Sequence, residues 1–233
     1  MQLGPRVIFS IGNVYITETV CFALIISLLI LLFCWRSVRN LQTVPHGCQA
    51  VAEWLVDLIY NWTEGAMGKE NLKFAPYIGT LACFLGLGSM LGLLDLRPIT
   101  ADLNTTVPLA LVTFILIHGN GNRVHGAGGY AKKLGSPYAF MFPLNCISDA
   151  VFPVTLACRL FGNIFAGMVV MSLTYNGLAN LSAKLGSSIP FFQIFIPLPL
   201  NFFFDMFEPI LQTFVFCMLT MVFTANAMSG DEG

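Results

Sequence analysis

Apolar residues run along this chain in long blocks separated by short polar breaks, and the length of each block limits what it can form. From Ile16 to Trp35 one acid, Glu18, comes early and no further charge appears until Arg36. That is close to the ~20 apolar residues a helix needs to cross the hydrocarbon core, so the block predicts a transmembrane helix. Trp35 to Arg39 do not form a small-residue cleavage site, and the block reads as a retained helix rather than a signal peptide. Gln49 to Thr63 differs in kind. Val51, Trp54, Leu55, Leu58, Ile59 and Trp62 recur at helical spacing, with Glu53, Asp57 and Asn61 on the other side. A single apolar stripe bearing two tryptophans predicts an amphipathic helix within 49–70, lying in the membrane interface or packed on other protein.

Two further blocks, about Phe74 to Leu94 and Leu103 to Ile117, predict a transmembrane hairpin over 74–118. Between them, "RPITADLNTT" offers Asp102, Asn104, Thr105 and Thr106 as helix-starting residues. The Gly-rich, basic stretch "HGNGNRVHGAGGYAKKLGSP" predicts a flexible, water-facing loop over 119–137. It holds no GxGxxG and follows no strand, which argues against a phosphate cradle. The last two blocks, about Tyr138 to Ala183 and Ile189 to Met228, are too long to cross upright. As straight helices each would reach ~60 Å or more, twice the hydrocarbon thickness. Either they break at Pro143, Pro153, Pro190, Pro197, Pro199 or Pro209, or both run obliquely. The expectation is a long tilted helical hairpin over 138–229. With the N-terminal segment and first helix occupying 1–48, the whole is one all-α membrane domain of five transmembrane helices plus one interfacial helix.

Composition agrees. Of 233 residues 56% are hydrophobic and only 10% charged, where a soluble domain carries roughly a quarter charged. A net charge of -1 without a basic run gives no support for nucleic-acid binding. The cysteines at 21, 34, 48, 83, 146, 158 and 217 form no CxxC, and His46, His118 and His125 are scattered, so neither a disulfide framework nor a metal site is expected. Lysines and arginines set the orientation. Arg36, Arg39, Lys69, Lys73, Arg123, Lys132 and Lys133 fall on one side, Arg6, Arg97 and Lys184 on the other. The richer side is expected to be cytoplasmic, which puts the N-terminus outside and the C-terminus inside.

The chemistry sits in the long hairpin, where Asn145, Asp149, Arg159, Asn163, Asp205, Glu208 and Gln212 interrupt otherwise apolar sequence. An arginine at the bilayer centre costs about 2.5–3.5 kcal/mol on insertion scales. Arg159 and Asn163 are i and i+4 and share a helix face; Asp205, Glu208 and Gln212 share another; Asn145 and Asp149 form a third pair. A buried ion pair locking two helices would account for one such residue. Two carboxylate clusters flanking a lone cation suit wet half-pathways for an ion. A free-standing secondary transporter and a non-transporting scaffold protein are the alternatives; the first predicts internal repeats that the halves do not display.

"RLFGNIFAG" at 159–167 resembles the signature of subunit a of rotary F-type ATP synthases. "TADLNTTVPLALVTFIL", "PLNCISDAVFPVTLACRLFGN" and "FFDMFEPILQTFVFCMLTMVF" resemble that family in the same order. The resemblance implies a stator beside a rotating c-subunit ring, partnered by peripheral-stalk b subunits and the remaining synthase subunits, in a bacterial plasma membrane. No cofactor is implied. Nor is nucleotide chemistry, and the chain has no GxxxxGK[ST]. It implies that Arg159 faces the ring's ion-carrying carboxylates and that Gln212 sits near it on the partner helix. Asp205 falls where members carry a titratable residue, Asp149 matches an acid of the inner half-channel, and Asn145 and Asn163 match family positions. Glu208 joins Asp205 as a candidate for the outer path. One departure stands out: nine residues after the arginine, where many members have Glu or His, this chain has Met168.

Overall fold

The computed structural model describes residues 7–11, 14–39, 41–94, 96–134, 141–184 and 196–229. Two short strands, β1 (Val7–Ile11) and β2 (Val14–Thr17), pair antiparallel with Phe9 opposite Ile16 and Ile11 opposite Val14. This hairpin was not expected. Its sequence signal is two β-branched runs separated by Gly12 and Asn13, next to an apolar block that dominates the local pattern. From Thr17 onward the described chain is helical or irregular, as the all-α expectation requires.

α1 (Glu18–Val38) leads to α2 (Cys48–Met67), a 3-10 stretch (Lys69–Phe74) and α3 (Ala75–Ser89). Two short 3-10 turns (Met90–Leu94 and Ile99–Ala101) connect to α4 (Leu103–Leu134) and α5 (Met141–Lys184). The last arm comprises α6 (Pro197–Phe202), a π turn (Phe203–Phe207) and α7 (Glu208–Met228). Five stretches are long and apolar enough to cross a membrane: Glu18–Val38, Lys69–Leu94, Leu103–Gly126, Pro143–Ser182 and Pro197–Met228. The protein is therefore an integral membrane protein, and its spanning part is all-α. On α1, Leu24, Leu28 and Leu31 are each more than half exposed, a state that suits lipid tails and not water.

Packing gathers the other helices around one core. Ile78 and Leu85 of α3, Leu156 and Leu160 of α5, and Phe216, Cys217 and Met221 of α7 are buried together. In lipid such contacts gain from close fit rather than from escaping water, so small residues matter. Gly79 lies against Ile59 of α2, and Gly88 lies so close to Ile99 that a Cβ would run into its side chain. Two buried hydroxyls of α7 are satisfied within the helix: Thr213 donates to the Pro209 carbonyl at 2.8 Å and Thr220 to that of Phe216 at 2.8 Å. The amphipathic stripe of α2 divides. Val51, Trp54 and Leu58 are exposed, whereas Ile59 is buried and Trp62 stacks on Phe214 of α7 at 5.2 Å. Both expected roles, facing lipid and packing on protein, are thus open to one helix.

The Gly-rich stretch corrects the expectation of a flexible loop over 119–137. It is helical through Leu134, broken at Gly126, whose φ of 71 and ψ of 162 leave the helical region. α4 packs along α5, and Gly121 is buried. Tertiary contact there overrides the low helix propensity of glycine. Residues 135–137 of that stretch lie outside the described residues, as do 138–140 and 189–195 of the expected hairpin arms. α5 does not break. Its 44 residues amount to about 66 Å at 1.5 Å per residue, despite Pro153 in its interior. Of the two alternatives for this block, a continuous helix remains, too long to stand upright within ~30 Å of hydrocarbon.

Gly88→Val should cost about 1–3 kcal/mol through overpacking against Ile99. Heating the purified complex and following loss of this chain tests it: the transition should move to lower temperature, and an unchanged transition would contradict the close fit described.

Candidate functional site

α5 and the last arm bring the polar residues of the hairpin together in part. Asn163 donates from Nδ2 to Oε1 of Gln212 at 3.0 Å, joining the middle of α5 to the first turns of α7. Gln212 is 4% exposed, so the bond is made where an unmatched amide is costly. Arg159, one turn before Asn163 on the same face of α5, is half-buried. Among the described residues no carboxylate forms an ion pair with it.

On one side of this crossing lies a cavity of about 940 Å³. Along α5 it extends from Ile164 to Tyr175, and along the last arm from Leu198 to Glu208. The Asn163–Gln212 bond therefore stands at its inner end. Asp205 and Glu208 line it, and so does Met168, on the opposite wall. Oε2 of Glu208 is buried without a hydrogen-bond partner among the described residues, as is Nε2 of Gln212 one turn further along α7. An unmet acceptor followed by an unmet donor extends the polar route from the cavity toward the crossing. Buried groups of this kind are normally matched by water.

Local backbone chemistry explains where Asp205 stands. Pro209 has no N–H to give the Asp205 carbonyl, and its ring would crowd that carbonyl in a regular helix. The chain widens into the π turn immediately before it, a device common at functional positions. Two glycines hold this turn from either side. A Cβ on Gly92 would lie 3.0 Å from Oδ1 of Asp205, and one on Gly167 would lie 3.1 Å from Cδ1 of Phe204. Both glycines line the cavity.

Asp149 and Asn145 do not join this group. They are half-buried near the start of α5, about 15 Å along the helix from Arg159 in the case of Asp149. The titratable neighbour of Asp149 is His118 of α4. Phe152 packs on Phe223 of α7 at 4.4 Å, so this polar pair belongs to the opposite end of the hairpin from the cavity. Pro153 follows Asp149 by four residues, as Pro209 follows Asp205. Each arm thus carries an acid whose carbonyl faces a proline ring.

Several contributors were not singled out from sequence. His118 had been placed at the edge of a connector, and Glu18, Arg97, Tyr175 and Asn201 had been given no site role, yet the last four line the cavity. Asn201 donates to the Tyr175 hydroxyl at 2.9 Å. No local spacing links these residues; only the meeting of α1, the α3–α4 connection and the hairpin does. No cluster of three or more metal-ligating side chains occurs among the described residues.

The profile of the family described as "ATP synthase A chain" matches residues 20–225. The chain belongs to the ATP synthase subunit a family. That family is the ion-translocating subunit of the membrane sector, and other ATP synthase subunits are its partners. Among relatives, the sodium-ion-specific subunit a of Propionigenium modestum is 35% identical, over 88% of this chain and 71% of its own length. Subunit a of Moorella thermoacetica is 34% identical over 98% of this chain and 99% of its own. That of Enterococcus hirae is 32% identical over 96% and 97%.

Gln212→Leu should leave the Asn163 amide unmatched at about 1–3 kcal/mol and sharply lower ion-driven ATP synthesis in membrane vesicles. Gln212→Glu, which keeps an acceptor, should retain more. Equal rates in the two variants would show that the bond has no part in the activity.

Proposed function

We propose that this chain passes ions through two half-channels against a rotating c-subunit ring, with Arg159 as the electrostatic gate between them. The observation that supports it most is the guanidinium of Arg159, which no carboxylate among the described residues pairs, lying between the cavity of Asp205 and Glu208 and the polar pair Asp149 and Asn145. The cavity is the outer half-channel. Ions reach it past Asp205 and Glu208, and Glu208 supplies on α7 the acid that Met168 does not supply on α5. Asp149 and Asn145, with His118 beside them, form the start of the inner half-channel.

The chemistry follows from solvation. A ring carboxylate facing lipid stays neutral, because desolvation raises its pKa; a cation within ~4–6 Å lowers it by about 1–3 units. Arg159 therefore makes an arriving carboxylate give up its ion, and the same positive charge repels an ion leaking directly between the half-channels. Arginine suits the task better than lysine, since a guanidinium does not lose its proton. Asn163 and Gln212 close the inner end of the cavity beside the gate. Each charge crossing the membrane yields about 2.3 kcal/mol per 100 mV, which biases the ring in one direction.

The ring is thus the partner that α5 and α7 face, and b subunits of the peripheral stalk hold the chain still. The distribution of lysine and arginine supports a bacterial plasma membrane orientation with the N-terminus outside and the C-terminus cytoplasmic. The choice between proton and sodium belongs to the ion ligands of the ring.

Arg159→Ala should abolish ion-driven ATP synthesis while the complex remains assembled, as judged by synthesis in vesicles and subunit content after purification. Synthesis at the normal rate would rule out the gate. Loss of assembly alone would make Arg159 helix glue.

A further inference from the structure

Glu18 opens α1 and is half-buried, yet no hydrogen bond or ion pair holds its side chain among the described residues. An acid in the first turn of a helix is favoured by the macrodipole, but that is worth only 0.3–1 kcal/mol at an exposed end. Here the acid lines the same cavity as Asp205 and Glu208, on a wall built by a different helix.

Its position is fixed by a deliberate anchor. The next residue, Thr19, is completely buried and donates to Oδ2 of Asp102 at 2.8 Å. Asp102 in turn caps α4: its Oδ1 accepts from the Asn104 amide at 3.0 Å. Thr17 adds a 2.8 Å contact between hydroxyls on the same anchor. The start of α1 is therefore tied to the start of α4, and Glu18 is delivered to the cavity with little freedom. Arg97, whose Nη2 donates to the Ala101 carbonyl at 3.4 Å, also lines the cavity from the α3–α4 connection. Among the described residues the walls thus carry three carboxylates and one guanidinium, an excess of acidic groups inside low-dielectric walls. Such clefts concentrate cations and speed their arrival by about 10–10³-fold.

We propose that Glu18 is a third acid of the ion path, drawing cations into the cavity at the end where α1 begins, ahead of Asp205 and Glu208. It acts by its charge on the approaching ion and is not part of the gate at Arg159. The proposal rests on the cavity being the outer half-channel.

The test uses the complete complex in membrane vesicles driven by a fixed ion gradient. Glu18→Cys should lower ATP synthesis by about tenfold. A negatively charged methanethiosulfonate reagent, which attaches a sulfonate to the thiol, should then restore much of the rate, and a quaternary ammonium analogue should lower it further. The wild-type complex, treated identically, reports any effect on the native cysteines. A purely structural role would lower subunit content without this dependence on the sign of the added charge. Equal responses to the two reagents, or an unaffected rate in Glu18→Cys, would overturn the proposal. If Glu18→Cys fails to assemble, Glu18→Gln serves in its place: a normal rate per assembled complex overturns the proposal, and a tenfold loss supports it. Asp205→Asn separates the two levels. If it blocks synthesis while Glu18 variants are silent, only the role of Glu18 fails; if both are silent, the cavity is not the ion path.

Discussion

A guanidinium held in an apolar helix with no carboxylate paired to it among the described residues is the constraint around which the hairpin is organised. Its insertion costs about 2.5–3.5 kcal/mol at the bilayer centre, and a single acid at ion-pair distance would offset much of that. Acids are present on both arms, and the fold keeps them from pairing with it. Asp205 and Glu208 line the cavity beyond the Asn163–Gln212 bond. Asp149 lies toward the other end of α5, with His118 as its neighbour. Pairing Arg159 with one of them would steady the bundle and remove the charge that the proposed gate requires.

The same economy governs the backbone. Proline and glycine are poor residues for a helix interior, yet they shape the surroundings of the acids. Pro153 and Pro209 each follow an acid by four residues, and before Pro209 the helix widens into a π turn. Gly92 and Gly167 let neighbouring segments close on that turn, against Asp205 and Phe204 respectively. Irregular backbone at membrane depth is tolerated where it lines a cavity or is covered by protein. Here it does both, and the cavity owes its shape to it.

Much of this was legible in the chain before any coordinates. The single apolar stripe separated α2 from the crossing helices, and the spacing of Arg159 with Asn163, and of Asp205, Glu208 and Gln212, placed them on common faces. The family resemblance implied Gln212 near Arg159; its bond to Asn163, one turn further along α5, was not foreseen. The Gly-rich stretch misled because composition reports a segment's own preference, whereas α5 packed alongside supplies the stabilisation that glycine lacks. The β-hairpin at Val7–Thr17 was overlooked beside a stronger apolar signal. Glu18 and His118 were invisible as site residues for a different reason. Each is remote in sequence from the residues it joins, and a single charged side chain has no periodicity to betray which face of which helix it will meet.

The most direct measurement is the position of the Arg159 side chain in an experimental structure of the assembled complex resolved well enough to show side chains. The guanidinium should lie within about 4–6 Å of a ring carboxylate's path, pointing away from both Asp205 and Glu208. A guanidinium bonded to either acid, with no ring helix within reach, would contradict the account.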